Sequence, residues 1–312
     1  MSELAARTAG FERAARGRRS RTERLPGEPR HIAYLYVLPA FLIYAAFNLV
    51  QLVQGVNISF FDWDGITPGT WVGLQNYRAF FTDPVIRSSY VHVLVLIVFY
   101  SFLPIAIGLF LAASLSRMRI RGLTGFRTLL FLPTVLTDVV VAAAWVWIYD
   151  PNGPLNEFLR AIGLGSLARP WLGDFNTALP AVGIFGTWGG FGFCMILFLA
   201  GIMKIPTSLY EAARVDGANA WREFFAVTLP GLRHELTVVL VLTVIGALGT
   251  FDEIYVMTAG GPGTATTVPA FQVYSKAFQT NQVGLAAAMG ITLMLIVFAV
   301  SYGITRVMER DA

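Results

Sequence analysis

Six long apolar stretches separated by polar segments set the pattern of this chain: 32–53, 90–115, 126–149, 179–203, 236–257 and 283–307. Each holds the roughly 20 residues that a helix needs to cross about 30 Å of hydrocarbon. Inside a bilayer the backbone must satisfy its own hydrogen bonds, and uninterrupted apolar runs do so as helices. The connections are too short to hold an independent core. The pattern therefore predicts an all-α, polytopic membrane protein, with six transmembrane helices in one bundle over 32–307. A short N-terminal segment, 1–31, precedes it, a tail of 308–312 follows, and the loop over 204–235 is the most polar connection.

Composition agrees. Hydrophobic residues make up 55% of the 312 and charged ones 13%, where a soluble domain carries about a quarter charged residues. Mean hydropathy is +0.62. The positive charges then orient the bundle. Eighteen of the 23 lysines and arginines fall in 1–31, in the connection after the second stretch, in 204–235 and at the C-terminus. Basic residues collect on the cytoplasmic side, so both termini and the 204–235 loop are expected there. Arg16, Arg18, Arg19 and Arg21 next to the first stretch suit anionic lipid headgroups better than nucleic acid. A cleaved signal peptide is disfavoured, because 32–53 is of full spanning length and runs on into Asn57, Ser59 and Phe60.

Candidate chemistry is sparse. His31, His92 and His234 have no ligand-like spacing, and the single Cys194 reads as a packing residue. Neither Lys204 nor Lys276 completes the Gly-x-x-x-x-Gly-Lys-Ser/Thr phosphate cradle. No cofactor, metal or catalytic set is expected on this chain, so any ATP hydrolysis belongs to a separate polypeptide. A membrane-embedded enzyme is disfavoured on the same grounds. An ion-coupled secondary transporter is the alternative class, disfavoured because no internal repeat is visible.

The polar 204–235 loop reads as a helical hairpin. Pro206 stops the preceding span, and Ser208 with Glu211 three residues on fits a capping box. Gly217 can take positive φ and reverse the chain. A second helix is expected from about Asn219 to Val227, ending before Pro230, with Trp221, Phe224 and Phe225 as its apolar side. Three acids fall in or beside apolar stretches, where a charge is costly. Asp138 follows Pro133 and Thr137, where a helix could open; it reads as a hydrogen-bonding partner or a functional group. Asp252 and Glu253 stand beside Phe251 and Tyr255, which suits either stacking on a hydroxyl-rich ligand or an interfacial aromatic belt.

Glu211-Ala212-Ala213, Asp216-Gly217-Ala218 and Leu229-Pro230 at this spacing resemble the "EAA" cytoplasmic loop of ATP-binding-cassette (ABC) importer permeases. Val72-Gly73-Leu74-Gln75-Asn76-Tyr77 with Phe80-Phe81-Thr82-Asp83 is similar to the outer loop of sugar importer permeases. So are Leu132-Pro133, Trp145 to Asp150 and Gly153-Pro154-Leu155-Asn156, and Phe251 to Gly263 with its Thr-x-Gly-Gly-Pro sequence. The chain resembles the MalF/UgpA-like carbohydrate permeases in their compact six-span form. That resemblance implies a heterodimer with a second permease, a dimer of ATPase subunits using ATP and magnesium, and an extracytoplasmic solute-binding protein delivering a carbohydrate, polyol or sugar phosphate. It assigns the hairpin to docking on the ATPase through Glu211, Ala212, Ala213, Asp216, Gly217, Ala218, Leu229 and Pro230. It places Phe251, Asp252 and Tyr255 on the substrate path.

Overall fold

The computed structural model describes residues 30–118 and 122–309; the basic stretch holding Arg16, Arg18, Arg19 and Arg21 and the last three residues lie outside the described residues. The chain divides into two compact units, 1–54 and 55–312. Helix α1, Tyr34–Ile58, is apolar apart from Asn48, Gln51, Gln54 and Asn57 in its second half, and buries none of its spanning window. It widens into a π turn over Ala45–Leu49, where the Asn48 amide donates to the Tyr44 carbonyl at 3.2 Å.

The second unit opens with two short antiparallel strands, β1 Phe61–Asp62 and β2 Thr70–Trp71, with Phe61 opposite Trp71. Helix α2, Gln75–Thr82, and α3, Pro84–Ser116, follow. Asp83 begins α3 by accepting the Val85 and Ile86 amides at 2.8 and 3.3 Å, with Pro84 in the first turn where its missing N–H costs nothing. Then come α4 Leu123–Val135, α5 Asp138–Ile148, α6 Pro154–Ala161 and α7 Ala178–Ile202. Next are α8 Thr207–Val215, α9 Ala220–Gly231 and α10 Arg233–Leu248. The chain finishes with α11 Asp252–Met257, α12 Pro269–Tyr274 and α13 Val283–Met308.

Four helices, α1, α3, α7 and α13, are each long and apolar enough to cross a membrane, and two bent pairs raise the number to six. The expected third span, 126–149, is one of these pairs: α4 and α5 meet at 94°. Pro133 removes one hydrogen bond from the last turn of α4. Leu136 and Thr137 are extended, and Asp138 restarts the helix where an acid favours the N-terminal dipole. The expected fifth span, 236–257, is also discontinuous. It begins at Arg233, ends at Leu248, and resumes as the separate α11 after the non-helical Gly249, Thr250 and Phe251. Gly246 and Gly249 each weaken the helix by about 1 kcal/mol against alanine. The Gly249 amide turns back to the Ile245 and Gly246 carbonyls at 3.0 and 3.1 Å.

Helix α7 is the centre of the second unit, packed on α3, α4, α10 and α11. Its glycines bring the backbones together: Gly183 lies against the Phe99 ring and Gly186 against the Tyr100 ring. One buried cluster joins α3, α7 and α10 through Leu115, Met195, Phe198, Leu232 and Val239. A second joins α3, α5, α7, α10, α11 and α12 through Leu96, Val182, Leu248, Ile254 and Phe271.

The Gly-Leu-Gln-Asn-Tyr segment has a structural task. The Asn76 amide donates to the Ser59 and Phe61 carbonyls, both at 2.9 Å, and the Tyr77 and Ser59 hydroxyls are 2.7 Å apart. These bonds tie α2 to the chain leaving α1, and Gly284 lets α13 approach the Phe61 carbonyl closely. Asn76→Ala leaves two carbonyls without their donor, at about 1–3 kcal/mol each where they are dry. The expected result is a lowered unfolding temperature for the detergent-purified protein, read by differential scanning fluorimetry. An unchanged transition contradicts the clamp.

Candidate functional site

The hairpin holds its shape by contacts within itself. Helix α8 ends in a pair of bonds characteristic of a Schellman turn: the Ala218 amide reaches the Ala213 carbonyl at 2.9 Å and the Gly217 amide reaches Arg214 at 3.0 Å. Gly217 has φ of +76°, the left-handed conformation the reversal requires. Asn219 then caps α9, accepting the Arg222 amide at 2.9 Å. Across the two helices the Arg214 Nε donates to Glu223 Oε1 at 2.7 Å, and the Tyr210 and Thr228 hydroxyls are 3.1 Å apart. Glu223 and Thr228 are buried, while the Arg214 side chain is 62% exposed, so the brace has one dry end and one wet end.

Glu211, Ala212 and Asp216 are exposed, while Ala213 and Ala218 are half-buried beneath the turn. Val215, at 88% exposed, stands at the tip and is an apolar side chain for which the hairpin offers no cover. Two local expectations are corrected. There is no capping box: Pro206 takes the N-cap position, α8 starts at Thr207, two residues earlier than a Ser208 cap would set it, and no side chain caps it. Ser208 is thereby drawn into the helix and the Ser208–Glu211 reciprocity is lost. Nor does the second helix end before Pro230. Over Phe224–Thr228 it widens into a π turn in which the Leu229 amide reaches the Phe224 carbonyl, and it continues through Pro230 to Gly231. A proline is accommodated after a widened turn, where the regular four-residue bonding is already interrupted.

Buried Leu232 lies at the junction of the hairpin with the next span. Helices α9 and α10 meet at 70°, with Leu232 alone between them, and Leu232 is 0% exposed. It seats beside Gly201 of α7, where an added Cβ would lie 2.5 Å from Leu232 Cδ2. Gly231 faces the Ile205 side chain in the same way, and Lys204 pairs with Glu235 at 3.0 Å.

A second assembly forms around α11. Phe251 stacks on Tyr255 with ring centroids 5.6 Å apart, and both approach Tyr274 at 5.3 Å. Phe271 and Phe278 extend the group, at 6.4 Å from Phe251 and 5.4 Å from Tyr274. Tyr255 and Phe278 are exposed, so the cluster presents ring surface outward. Phe271, Tyr274 and Phe278 were not singled out from the sequence, although their spacing of three and four marks one helical face. Asp252 is exposed at the first turn of α11 and Asp138 at the first turn of α5, which packs on α11. The structure thus brings together acids that lie far apart in sequence. The Thr-Ala-Gly-Gly-Pro-Gly segment buttresses the cluster: Thr266 is fully buried, bonds Thr258 and the Gly261 carbonyl at 2.7 Å each, and adjoins Thr267, whose carbonyl lies 2.8 Å from His92 Nδ1.

The family described as "Binding-protein-dependent transport system inner membrane component" matches residues 104–312. A probable ABC transporter permease protein of Bacillus subtilis, YurN, is 37% identical, with 86% of this chain and 93% of that protein covered. The diacetylchitobiose uptake system permease protein NgcF of Streptomyces coelicolor is 33% identical, over 92% of this chain and 86% of that protein. Among solved structures, a bacterial ABC transporter importing the polysaccharide alginate has a chain of the same fold. Its TM-score is 0.78 at 24% identity, covering 89% of this chain and 95% of that one.

Proposed function

The chain belongs to the family of binding-protein-dependent transport system inner membrane components, and from that membership we propose that it forms half of the translocation path of an ABC importer for a carbohydrate. It is an integral membrane permease. The carbohydrate class rests on relatives such as NgcF, and the finer identity of the solute resides in a separate solute-binding protein. The remaining partners are a second permease in a heterodimer and a pair of ATPase subunits that bind ATP and magnesium. The hydropathy pattern supports six spans, and the arginine distribution supports placing both termini and the hairpin in the cytoplasm.

One observation carries the mechanism: the hairpin is internally braced, exposed at Glu211 and Val215, and seated on the spans where buried Leu232 meets Gly201 and Gly231 meets Ile205. A rigid element on a close-packed seat transmits a displacement instead of absorbing it. Closure of the ATPase dimer pulls on the face that carries Glu211, Ala212, Asp216 and Gly217. Leu229 and Pro230 lead that motion to Leu232, and α10 turns against α7. The discontinuity at Gly249 passes the motion to α11 and the aromatic cluster, giving alternating access to the solute. To test the docking, the tagged chain is purified in mild detergent from its host with and without Glu211→Ala. Recovery of an ATPase and a second permease, with less ATPase for the variant, supports the reading; a chain that purifies alone overturns it.

Phe251, Tyr255 and Tyr274 offer ring faces to the C–H surface of a sugar, and Asp252 offers an acceptor for its hydroxyls. Phe251→Ala is expected to lower uptake by about fivefold or more, since a stacked aromatic contact contributes on the order of 1 kcal/mol beyond the area it buries. Affinity of the isolated binding protein for the solute stays unchanged. Unaltered uptake by a correctly inserted Phe251→Ala chain removes this residue from the path.

A further inference from the structure

We propose that His92 is a positioning residue for the aromatic cluster, holding α12 and its rings to α3 through one chain of buried hydrogen bonds. The consequence for transport rests on the placement of that cluster on the solute path. The stretch 90–115 contains no aspartate, glutamate, lysine or arginine, and its one histidine is His92. An ionisable side chain within a span is costly and is kept where it has a specific partner. That partner is the Thr267 carbonyl, 2.8 Å from His92 Nδ1 and 175 positions away in the chain. A carbonyl only accepts, so Nδ1 carries the proton and donates.

Thr267 is 1% exposed and directly precedes Val268, the N-cap of α12, so its carbonyl stands outside the helical ladder. The same residue is tied to α12 by its side chain: Gln272 Nε2 donates to Thr267 Oγ1 at 2.7 Å, and Gln272 is itself buried. Gln272 lies between Phe271 and Tyr274, two rings of the cluster. A chain of polar contacts thus runs from α3 through Thr267 to the helix that carries the rings. Helix α12 has six residues before the π turn over Ser275–Gln279. So short a helix has no stability of its own and takes its place from tertiary contacts. Val93 and Leu96 of α3 share a buried apolar cluster with Val268 and Phe271, which presses α12 onto α3. Apolar contact is non-directional and leaves the two elements free to slide. The His92 and Gln272 bonds are directional and fix where α12 stops. Without the His92 donor the Thr267 carbonyl is left buried and unpaired, and α12 shifts to give it a partner, taking Phe271 and Tyr274 with it.

The test places 3-fluorotyrosine at position 274 of the full chain, purified into lipid nanodiscs with whatever subunits accompany it, and reads the fluorine resonance, which needs no solute. His92→Phe keeps a ring of similar bulk and removes the donor, and is expected to shift the resonance or split it. His92→Asn sets an amide N–H where the Nδ1–H stands and is expected to return the resonance to its original place. Gln272→Met, close in shape, cuts the other link and is expected to move the resonance as well. The double variant should add little to the larger single shift, because the two bonds act in series. A resonance that stays in place in both His92→Phe and Gln272→Met overturns the proposal. So does equal displacement by phenylalanine and asparagine, which reduces His92 to packing. Should His92→Phe fail to fold, Gln272→Met and the asparagine rescue still decide. Since the resonance reports position alone, an unmoved signal sinks the role of His92 and leaves the sugar-path reading to the Phe251→Ala uptake test. Unaltered uptake in Phe251→Ala beside a shifted resonance sinks that reading and leaves His92 holding α12.

Discussion

Gly217→Val is expected to reduce uptake by at least tenfold while leaving membrane insertion intact. The residue holds φ at +76°. An L-residue pays roughly 1–2 kcal/mol there, and a β-branched side chain is a true outlier. An added Cβ meets nothing within 4 Å, so the cost comes from the backbone alone and not from a clash. The chain relieves that cost by opening the turn, which breaks the Ala218 to Ala213 and Gly217 to Arg214 bonds and swings α8 away from α9. Because about 1.4 kcal/mol is tenfold in an equilibrium, even partial opening depletes the docking-competent shape. Gly217→Asn provides the control, as asparagine visits this conformation at small cost, and should retain most transport. Uptake in inverted or whole-cell assays, normalised to inserted chain, checks both. Equal activity of the valine and asparagine variants contradicts a role for the turn.

The second large effect is expected at the joint. Leu232→Ala removes a fully buried side chain from the cluster shared by α3, α7 and α10, at about 2–5 kcal/mol. The loss falls where α9 turns through 70° into α10, so the hairpin stays folded but pivots freely on the spans. ATP hydrolysis by the assembled complex should continue while solute moved per ATP falls severalfold. Leu232→Met, which conserves volume, should restore coupling. Should hydrolysis and uptake fall together in proportion, the residue supports assembly and not transmission.

The helices and the hairpin were largely legible in the sequence, and the bends were not. Hydropathy reports that 126–149 and 236–257 lie in an apolar environment, but a run such as Leu129 to Ile148 stays apolar through a 94° corner, so the signal carries no direction. Pro133 with Thr137 and Asp138 hinted at an opening. Gly246 and Gly249 gave a weaker sign of the second break, since isolated glycines are common in membrane helices. Gly217 was readable because only one local solution, a positive φ, lets two short helices reverse there. Ser208 and Pro230 misled for opposite reasons. The serine pattern was outcompeted by the extended conformation of Pro206, and the proline was absorbed by a π turn that no residue periodicity announces. At the aromatic site, Phe251, Asp252 and Tyr255 were named together because they are neighbours in sequence. Tyr274 and Phe278 reach them only through the fold.

The Schellman turn, the Arg214–Glu223 brace, the Tyr210–Thr228 pair and the Asn219 cap, which shape the hairpin, all lie within the segment from Tyr210 to Thr228. Its outward residues, Glu211, Ala212, Val215 and Asp216, take no part in those bonds as side chains. Natural selection can therefore rewrite the exposed face and leave the frame untouched. Substitution at those four positions changes the surface that the hairpin presents without removing a bond that holds its shape.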